Sequence, residues 1–397
     1  MVKWLEKTLG EVTAFIAKGI PPKYTEEENE NTIRVLNQKC NRNFEISYNE
    51  SRIHDCEKKK VPVDKMLRAG DVLINSTGTG TAGRVAQMVE VTVPTTIDGH
   101  MILIRPSEEL DPIYYGYAVK SFQSQIEGLA EGSTGQTEIN RRRLQDEVII
   151  RYPSDKLVQK NIGSFLANID EKIKTNKEIN KNLEQQAQAI FSNEFLSLET
   201  LPDGWKQASL IDIADYLNGL AMQKYRPTAS ETGIPVLKIK ELRQGCCDDN
   251  SELCSPNIKS EYIIHDGDVI FSWSGSLLVD FWCGGICGLN QHLFKVTSNK
   301  HDKWFYYAWT KHHLDRFIAV AADKATTMGH IKRDELSKAE VLIPNKADYK
   351  RIGDLLQPIY DLIIANRIEN KKLAETRDTL LPKLMSGEID ISEVDYE

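Results

Sequence analysis

Two long stretches of the chain place apolar residues at alternating steps of four and three positions. A spacing that averages 3.5 residues over four heptads is typical of helices that pack in a coiled coil. It predicts one helix over residues 156–198 and a second over residues 346–385. The seam positions are Ile162, Leu166, Ile169, Ile173, Asn176, Asn180 and Leu183 in the first helix, and Ile352, Leu356, Ile359, Ile363, Asn366, Asn370 and Leu373 in the second.

Both seams carry asparagine at the same two places, and a buried asparagine fixes register and orientation at a cost in stability. Each helix needs an apolar partner, which is either its own domain or the other helix. We favour an antiparallel pair, because the chain passes through a second domain before the second helix begins. A two-fold relation then predicts that Asn176 lies near Asn366 and that Arg377 snorkels or lies at a frayed helix end. A helix of about 38 residues would span roughly 57 Å.

The segments before these helices contain short β-prone runs separated by turns. Strands are predicted at residues 72–75 and 100–104 in the first segment and at residues 269–272 and 292–296 in the second. Helical patterns follow at residues 113–125 and 304–318, then threonine-rich loops at 132–137 and 324–329, and a last strand that ends at Pro153 or Pro344. The pattern predicts an α+β fold, in which a curved mixed β-sheet carries helices packed at its side.

The same order of features occurs twice along the chain. The run GDVL at residues 70–73 corresponds to GDVI at 267–270, His100 corresponds to His292, and Ile162-Gly163 corresponds to Ile352-Gly353. The offsets between matching positions fall steadily along the chain, as small loop deletions in the second copy would produce. The repeat therefore predicts two tandem domains, at residues 1–155 and 199–345, followed by helical parts at 156–198 and 346–397.

The composition is that of a soluble globular protein, with 41% hydrophobic and 27% charged residues. With no run of eighteen apolar residues and no apolar signal sequence, we expect a cytoplasmic protein with reduced thiols. Cys283, Cys287 and His292 invite a zinc site, but the spacing lacks a second matching pair, and we interpret these cysteines as buried small hydrophobic residues. The net charge of −8 requires any contact with nucleic acid to use a local basic face, for which residues 141–143 (RRR) are a candidate.

Two motifs resemble catalytic signatures without completing them. Residues 76–84 (STGTGTAGR) contain G-x-G-x-x-G, but a β-prone run follows where a nucleotide-binding loop needs a long helix, and the Lys-Ser/Thr ending of a phosphate-binding loop is missing. Residues 111–114 (DPIY) resemble the D-P-P-Y loop of amino-methyltransferases, yet proline after Asp111 also suits the first turn of a helix. The sequence thus favours a binding protein over two rivals, a self-contained methyltransferase or nuclease and a scaffold that binds only protein.

The chain resembles the specificity subunit of type I restriction-modification systems over essentially its whole length. The resemblance is carried by residues 70–74 running into 78–85, by 132–140 (GSTGQTEIN), by the helix from Asn161 through Asn176, and by 381–389 (LPKLMSGEI). It implies that each domain reads one half of a split DNA target, and that the helices set the gap and dock two methyltransferase subunits. It further implies that S-adenosylmethionine, Mg²⁺ and ATP serve partner subunits, that a motor-nuclease subunit joins the full complex, and that this chain has no catalytic site, metal or cofactor of its own.

Direct readout of DNA requires side chains that reach base edges, while contacts to phosphates fix the register. In the second copy, residues 323–331 (DKATTMGHI) replace the STGQTEI pattern, so its contacts depart from those of the first. The predicted DNA-binding residues are Thr77, Thr79, Arg84, Gln136, Asn140 and Arg141 in the first copy and Ser274, Ser276, Lys324, Thr326, Thr327, His330 and Lys332 in the second. Each is alternatively a turn residue or a solvated polar group.

Overall fold

The computed structural model describes residues 2–132, 137–323 and 333–391. These residues form two compact units. Unit 1 contains residues 2–171 and 374–391, and unit 2 contains residues 172–373. The predicted domain boundaries at residues 155, 198 and 345 come from the sequence repeat, whereas the two units reflect which residues pack together. The predicted boundaries therefore stay a prediction.

Unit 1 is a mixed α/β body. Its strands are β1 Trp4–Thr8, β2 Thr13–Lys18, β3 Tyr24–Thr25, β4 Thr32–Leu36, β5 Asn41–Arg42, β6 Glu45–Ile46, β7 Arg52–Asp55, β8 Val72–Asn75, β9 Val85–Gln87, β10 Thr95–Ile97, β11 Met101–Pro106, β12 Ala130–Glu131, β13 Glu138–Ile139 and β14 Ile149–Pro153. Its helices are α1 Pro112–Ser121, α2 Gln123–Gly128, α3 Arg141–Glu147 and the first part of α4 Lys156–Phe191.

The strands of unit 1 form two four-stranded sheets and three short pairs. One sheet has the order β2-β11-β8-β9 and is antiparallel throughout. The other has the order β10-β4-β7-β3, in which β10 and β4 run parallel. The pair β1-β14 joins the first strand of the unit to the last strand before α4.

Unit 2 repeats this arrangement. Its strands are β15 Lys206–Ser209, β16 Asp215–Asn218, β17 Ile234–Leu237, β18 Leu253–Cys254, β19 Ile263–Ile264, β20 Val269–Ser272, β21 Leu278–Phe281, β22 Cys287–Leu289, β23 Leu293–Thr297 and β24 Glu340–Ile343. Its helices are α5 Leu210–Ile213, α6 Ile239–Gln244, α7 Lys303–His312, α8 Leu314–Asp323, α9 Arg333–Ser337 and most of α10 Lys346–Ser386.

The order β16-β23-β20-β21 corresponds to β2-β11-β8-β9 of unit 1, and the parallel pair β17-β22 corresponds to β4-β10. The predicted α+β fold with an internal repeat is therefore confirmed. The mixed sheet is divided, however, because the parallel strands belong to a sheet separate from the antiparallel one in each unit.

Several predicted boundaries differ from the structure. Each predicted helix after the central strands is two helices, since the chain turns at Phe122 between α1 and α2 and at His313 between α7 and α8. The strands β11 and β23 begin one residue later than predicted, which leaves His100 and His292 in turns. Helix α4 ends at Phe191, and a π-helical turn continues to Leu196.

The long helices close the core of each unit. In unit 1, Ile162 and Leu166 of α4 and Leu381 and Leu384 of α10 belong to one buried apolar cluster. Gly163 permits this packing, because a Cβ atom there would lie 2.8 Å from the backbone nitrogen of Tyr114. In the parts of the chain that the structure describes, no helix is both long and apolar enough to cross a membrane.

The antiparallel pairing is directly visible within unit 2, where seam asparagines from α4 and α10 meet. Asn366 Nδ2 donates to Asn180 Oδ1 at 2.8 Å, and Asn176 Nδ2 donates to Asn370 Oδ1 at 2.9 Å. The predicted proximity of Asn176 to Asn366 is wrong by one helical turn. The observed register also lets Asn180 donate to the Ile363 carbonyl oxygen.

The other seam residues are placed as follows. Full or near-full burial is found at Ile162, Leu166, Ile173, Ile352, Leu356 and Ile363. Partial burial is found at Ile169, Leu183, Ile359, Asn370 and Leu373.

Arg377 does not snorkel or lie at a frayed end. Its side chain is 13% exposed and forms an ion pair with Asp170 inside unit 1. Tyr117 donates its hydroxyl to the other carboxylate oxygen of Asp170 at 2.5 Å, and burial raises the pKa of the Tyr117 phenol. The partly buried carboxylate of Asp170 thus explains the arginine on the apolar seam.

Candidate nucleic-acid interface

The glycine-rich loop of unit 1 connects β8 to β9 and carries three predicted DNA-binding residues. Thr79 is exposed, whereas Thr77 and Arg84 are partly buried. The Arg84 guanidinium folds back and donates to the Gly80 carbonyl oxygen at 3.0 Å. The loop leads into a strand, so it lacks the following helix on which a dinucleotide site depends.

Thr77 connects this loop to two neighbouring segments. Its Oγ1 lies 2.8 Å from His100 Nδ1 and 3.3 Å from Gln38 Oε1. An isolated β-bridge also joins Thr77 to Glu138. Thr77 is therefore at the centre of a polar cluster rather than at the tip of a loop.

The arginine run at the start of α3 lies beside this cluster. Asn140 is the N-cap of α3, and its side-chain oxygen accepts from the backbone nitrogens of Arg142 and Arg143. Arg143 is held by Glu131 and Glu147, whereas Arg141 is exposed and has no side-chain ion pair or hydrogen bond within the described chain. A cavity of about 490 Å³ is lined by Lys18, Glu131, Glu138, Ile139, Asn140, Arg141 and Arg142.

The predicted residues of unit 2 are less uniform. Ser276 is exposed and its hydroxyl lies 3.4 Å from Arg243 Nη1. Ser274 is only 2% exposed, so its predicted direct contact with DNA does not fit the structure. Its hydroxyl faces inward because it is bonded to His292 Nδ1 at 3.1 Å.

A shallow apolar cavity of about 390 Å³ borders the loop of unit 2 that contains Ser276. It is lined by Gly275, Ser276, Leu277, Ile318, Ala321 and Ala322. The last of these residues belong to α8. The remaining predicted DNA-binding residues, Gln136, Lys324, Thr326, Thr327, His330 and Lys332, lie outside the described residues.

The cysteines that suggested zinc are buried in unit 2. Burial raises the pKa of the Cys283 thiol to about 11, and a hydrogen bond with the Cys247 thiol, followed by burial, raises the pKa of Cys287. Within residues 2–132, 137–323 and 333–391, no three His, Cys, Asp or Glu side chains are grouped so that they could hold a metal ion.

The two histidines in the turns before β11 and β23 were not among the predicted DNA-binding residues. His100 is exposed and His292 is partly buried, and each contacts a hydroxyl on the loop that follows the corresponding strand β8 or β20. The repeat already aligned His100 with His292 in the sequence. What the sequence did not show was that these residues meet Thr77 and Ser274.

A family model described as "Type I restriction modification DNA specificity domain" matches residues 1–185 and again residues 202–375. The chain belongs to this family of type I restriction-modification specificity subunits, whose role is recognition of DNA rather than catalysis. The two matches correspond to the two copies of the repeat.

Individual relatives agree with this assignment. The chain is 27% identical over 307 residues to the type I restriction enzyme MjaIX specificity subunit of Methanocaldococcus jannaschii, a match that covers 71% of this chain and 69% of that protein. It is 24% identical over 326 residues to the EcoKI specificity subunit of Escherichia coli K12, covering 72% and 68%. The crystal structure of a type I restriction-modification S subunit from M. genitalium shares the fold, with a TM-score of 0.58, 17% identity and 96% coverage of both chains.

Proposed function

We propose that each of the two repeated domains reads one half of a bipartite DNA target. The observation that carries the proposal is the repetition of one framework, in which the loop after β8 or β20 meets the turn before β11 or β23. A protein with two such readers has a target in two parts, separated by bases that it does not read.

In this proposal the loops of the two domains make different contacts with the bases. In unit 1 the polar cluster around Thr77 is bordered by the exposed Arg141, which suits contact with a phosphate or with guanine. In unit 2 the corresponding loop carries Ser276 beside Arg243. Different side chains on a shared framework would let the two domains read different sequences.

The long helices set the gap between the half-targets in this proposal. Helix α4 has 36 residues and α10 has 41 residues. At 1.5 Å per residue, these helices are roughly 54 and 62 Å long. Seam asparagines are well suited to such a spacer, because they fix a single register between the two helices and therefore a single length of the spacer.

Exposed faces of the same helices would dock two methyltransferase subunits, which transfer a methyl group from S-adenosylmethionine to adenine. Lys172, Lys174 and Glu178 are exposed on α4. Motor-nuclease subunits, with their Mg²⁺ and ATP, would join the same assembly, and the chain itself would work in the cytoplasm.

The test is to combine the purified chain with its methyltransferase subunit and to sequence adenine methylation on a random DNA pool. A single bipartite motif with a fixed gap is expected. Methylation without a motif, or methylation that does not depend on this chain, would contradict the proposal and favour a scaffold that binds only protein.

A further inference from the structure

Both units bring an imidazole and a hydroxyl together at the same position of the repeat. The His100 Nδ1–Thr77 Oγ1 distance is 2.8 Å in unit 1, and the His292 Nδ1–Ser274 Oγ distance is 3.1 Å in unit 2. We call these the two hydroxyl–imidazole pairs. Neither was predicted from the sequence, because each joins residues that are 23 or 18 positions apart.

The same type of turn positions the histidine in each unit. Asp98 Oδ1 accepts from the backbone nitrogen of His100 at 2.9 Å, and Asn290 Oδ1 accepts from that of His292 at 3.2 Å. The two carboxamide or carboxylate side chains are at least 93% buried. A short polar side chain that accepts from the backbone two residues later is a stable local turn, so each ring begins from a fixed backbone.

In each unit, the residue that follows another strand packs closely against the histidine turn and holds the turn in place. Gly19 and Gly219 follow β2 and β16, and a Cβ atom at either position would overlap the carbonyl oxygens of the histidine turn. Parallel β-bridges beside these glycines join Ile20 to Asp98 in unit 1 and Leu220 to Asn290 in unit 2. The whole arrangement, from glycine through turn to ring, is thus built twice.

The residues around the two pairs differ, although the hydroxyl–imidazole pair itself is present in both units. In unit 1, Gln38 lies beside the pair, and its Oε1 would lie 3.0 Å from a Cβ atom on Gly78. In unit 2 the corresponding neighbour of Gly275 is the apolar Ile239. One neighbouring position is therefore polar in one unit and apolar in the other, while the hydroxyl–imidazole pair is the same.

The pair presents its imidazole outward, with the hydroxyl behind it. His100 is exposed whereas Thr77 is partly buried, and His292 is partly buried whereas Ser274 is buried. The one hydrogen of the Thr77 hydroxyl can go to Gln38 Oε1 at 3.3 Å or to His100 Nδ1 at 2.8 Å, and when it goes to Nδ1 the neutral ring carries its proton on Nε2. Nε2 of His100 has no hydrogen bond to the described residues, whereas Nε2 of His292 lies 3.3 Å from Gln291 Nε2, an N–H donor that must move away before this ring can donate to DNA.

We propose that the hydroxyl–imidazole pairs are DNA phosphate anchors, in which His100 and His292 each donate from Nε2 to a backbone phosphate oxygen. The inference rests on the proposed function. Under the proposed function the two domains read different half-targets, and a hydroxyl–imidazole pair that both domains share cannot tell these apart, so the pair fits the part of DNA that is common to every sequence. Contacts to phosphates position a protein on the duplex, while contacts to bases specify the target.

The test uses the chain in complex with its methyltransferase subunit, with DNA that contains the methylated motif and with DNA that lacks it. His100→Ala and His292→Ala should each weaken binding to both DNAs by about tenfold, since each removes one hydrogen bond to a charged group. The methylated motif should stay unchanged in all variants. His100→Gln, which keeps a side-chain N–H donor, should recover part of the loss. His265→Ala, at an exposed position between β19 and β20, should bind as the wild type does.

Two results would overturn the inference. A motif altered in one half by His100→Ala would make the histidine a base reader, and unchanged affinity in variants that melt at the wild-type temperature would remove it from the interface. If the His100→Ala chain melts at a lower temperature than the wild type, Thr77→Val is tested in its place. This near-isosteric substitution removes the hydrogen bond between the hydroxyl and the imidazole ring. Unchanged affinity of this variant for DNA would also overturn the inference. A wild-type complex without any motif would instead contradict the proposed function.

Discussion

Asn366 donates its amide hydrogen to Asn180 Oδ1 at 2.8 Å, and the repeat-related Asn176 donates to Asn370 Oδ1 at 2.9 Å. The amide nitrogens of Asn180 and Asn370 each donate to a backbone carbonyl oxygen of the opposite helix at 3.2 Å. Two amide–amide bonds and two amide–carbonyl bonds are therefore arranged around a local two-fold relation. A shift of either helix along the other would break these bonds together, so the asparagines define one register.

Asn366→Ala should lower the free energy of unfolding of unit 2 by about 1–3 kcal/mol, because it leaves the buried Asn180 oxygen without its donor. Urea unfolding followed by tryptophan fluorescence measures this effect, since five of the six tryptophans lie in unit 2. Leu362→Ala is the matched control, because Leu362 is 46% exposed on the same helix α10. Equal stability of the Asn366→Ala and wild-type chains would contradict the structural role.

Arg377→Met should destabilise unit 1 by about 2 kcal/mol, because it leaves the Asp170 carboxylate with Tyr117 as its remaining polar partner. Hydrogen–deuterium exchange of unit 1 peptides measures the loss. Adding Asp170→Asn should recover part of it, since the amide carries no charge that needs a partner. Substitution of Arg142, whose side chain is 90% exposed, by methionine should have no effect. An equally small effect of Arg377→Met would contradict a stabilising role of the Arg377–Asp170 ion pair.

Unit 2 should lose stability in mild acid because of His313. Burial lowers the pKa of this imidazole to about 4, and its Nε2 lies 2.8 Å from the Glu340 carbonyl oxygen. The unfolded chain takes up the proton near pH 6.5 while the folded chain does not, so stability is full above that pH and falls as the pH drops toward 4.

Between pH 7 and pH 5 this linkage amounts to about 2 kcal/mol. His313→Gln should remove most of that slope in urea unfolding at a series of pH values. A smaller slope should remain, because burial also lowers the pKa of His301 and His312. The same slope in the variant and the wild type would show that another group controls acid sensitivity.

Arg141 and Arg143 should respond differently to substitution although they are two residues apart. Arg141→Ala should weaken binding to all DNA sequences and reduce the salt dependence of the binding constant by about one phosphate contact. Arg143→Ala should leave the salt dependence nearly unchanged, because Glu131 and Glu147 already neutralise that guanidinium at 2.6 Å. Binding constants measured at several salt concentrations distinguish the two variants. If the binding constant depends equally on salt in both variants, the assignment of Arg141 to a phosphate contact is contradicted.

The elements that the sequence predicted well are those with a strong local period. Strands Val72–Asn75 and Val269–Ser272 have the predicted bounds, since each is a short apolar run after a Gly-Asp turn. The long helices begin at Lys156 and Lys346, which are the predicted first residues. Their register was missed by one turn, because the position of each asparagine along its own helix does not determine which asparagine it faces.

The candidate site was harder to predict, because its contacts join residues that are distant in the chain. Nothing near Thr77 in the sequence indicates that its hydroxyl meets His100, and nothing near Ser274 indicates that it is buried beneath His292. Asn140 is different. An asparagine directly before a run of good helix formers is a typical N-cap, so its capping role was available from the sequence.

The methylation motif of a hybrid chain is the most direct test of independent reading by the two domains. Residues 1–155 would be replaced by the corresponding domain of a relative that has a different target, while residues 156–397 and the methyltransferase subunit stay the same. We expect one half of the motif to change while the other half and the gap length are retained. A hybrid that folds and methylates but changes both halves, or neither half, would contradict independent reading by the two domains.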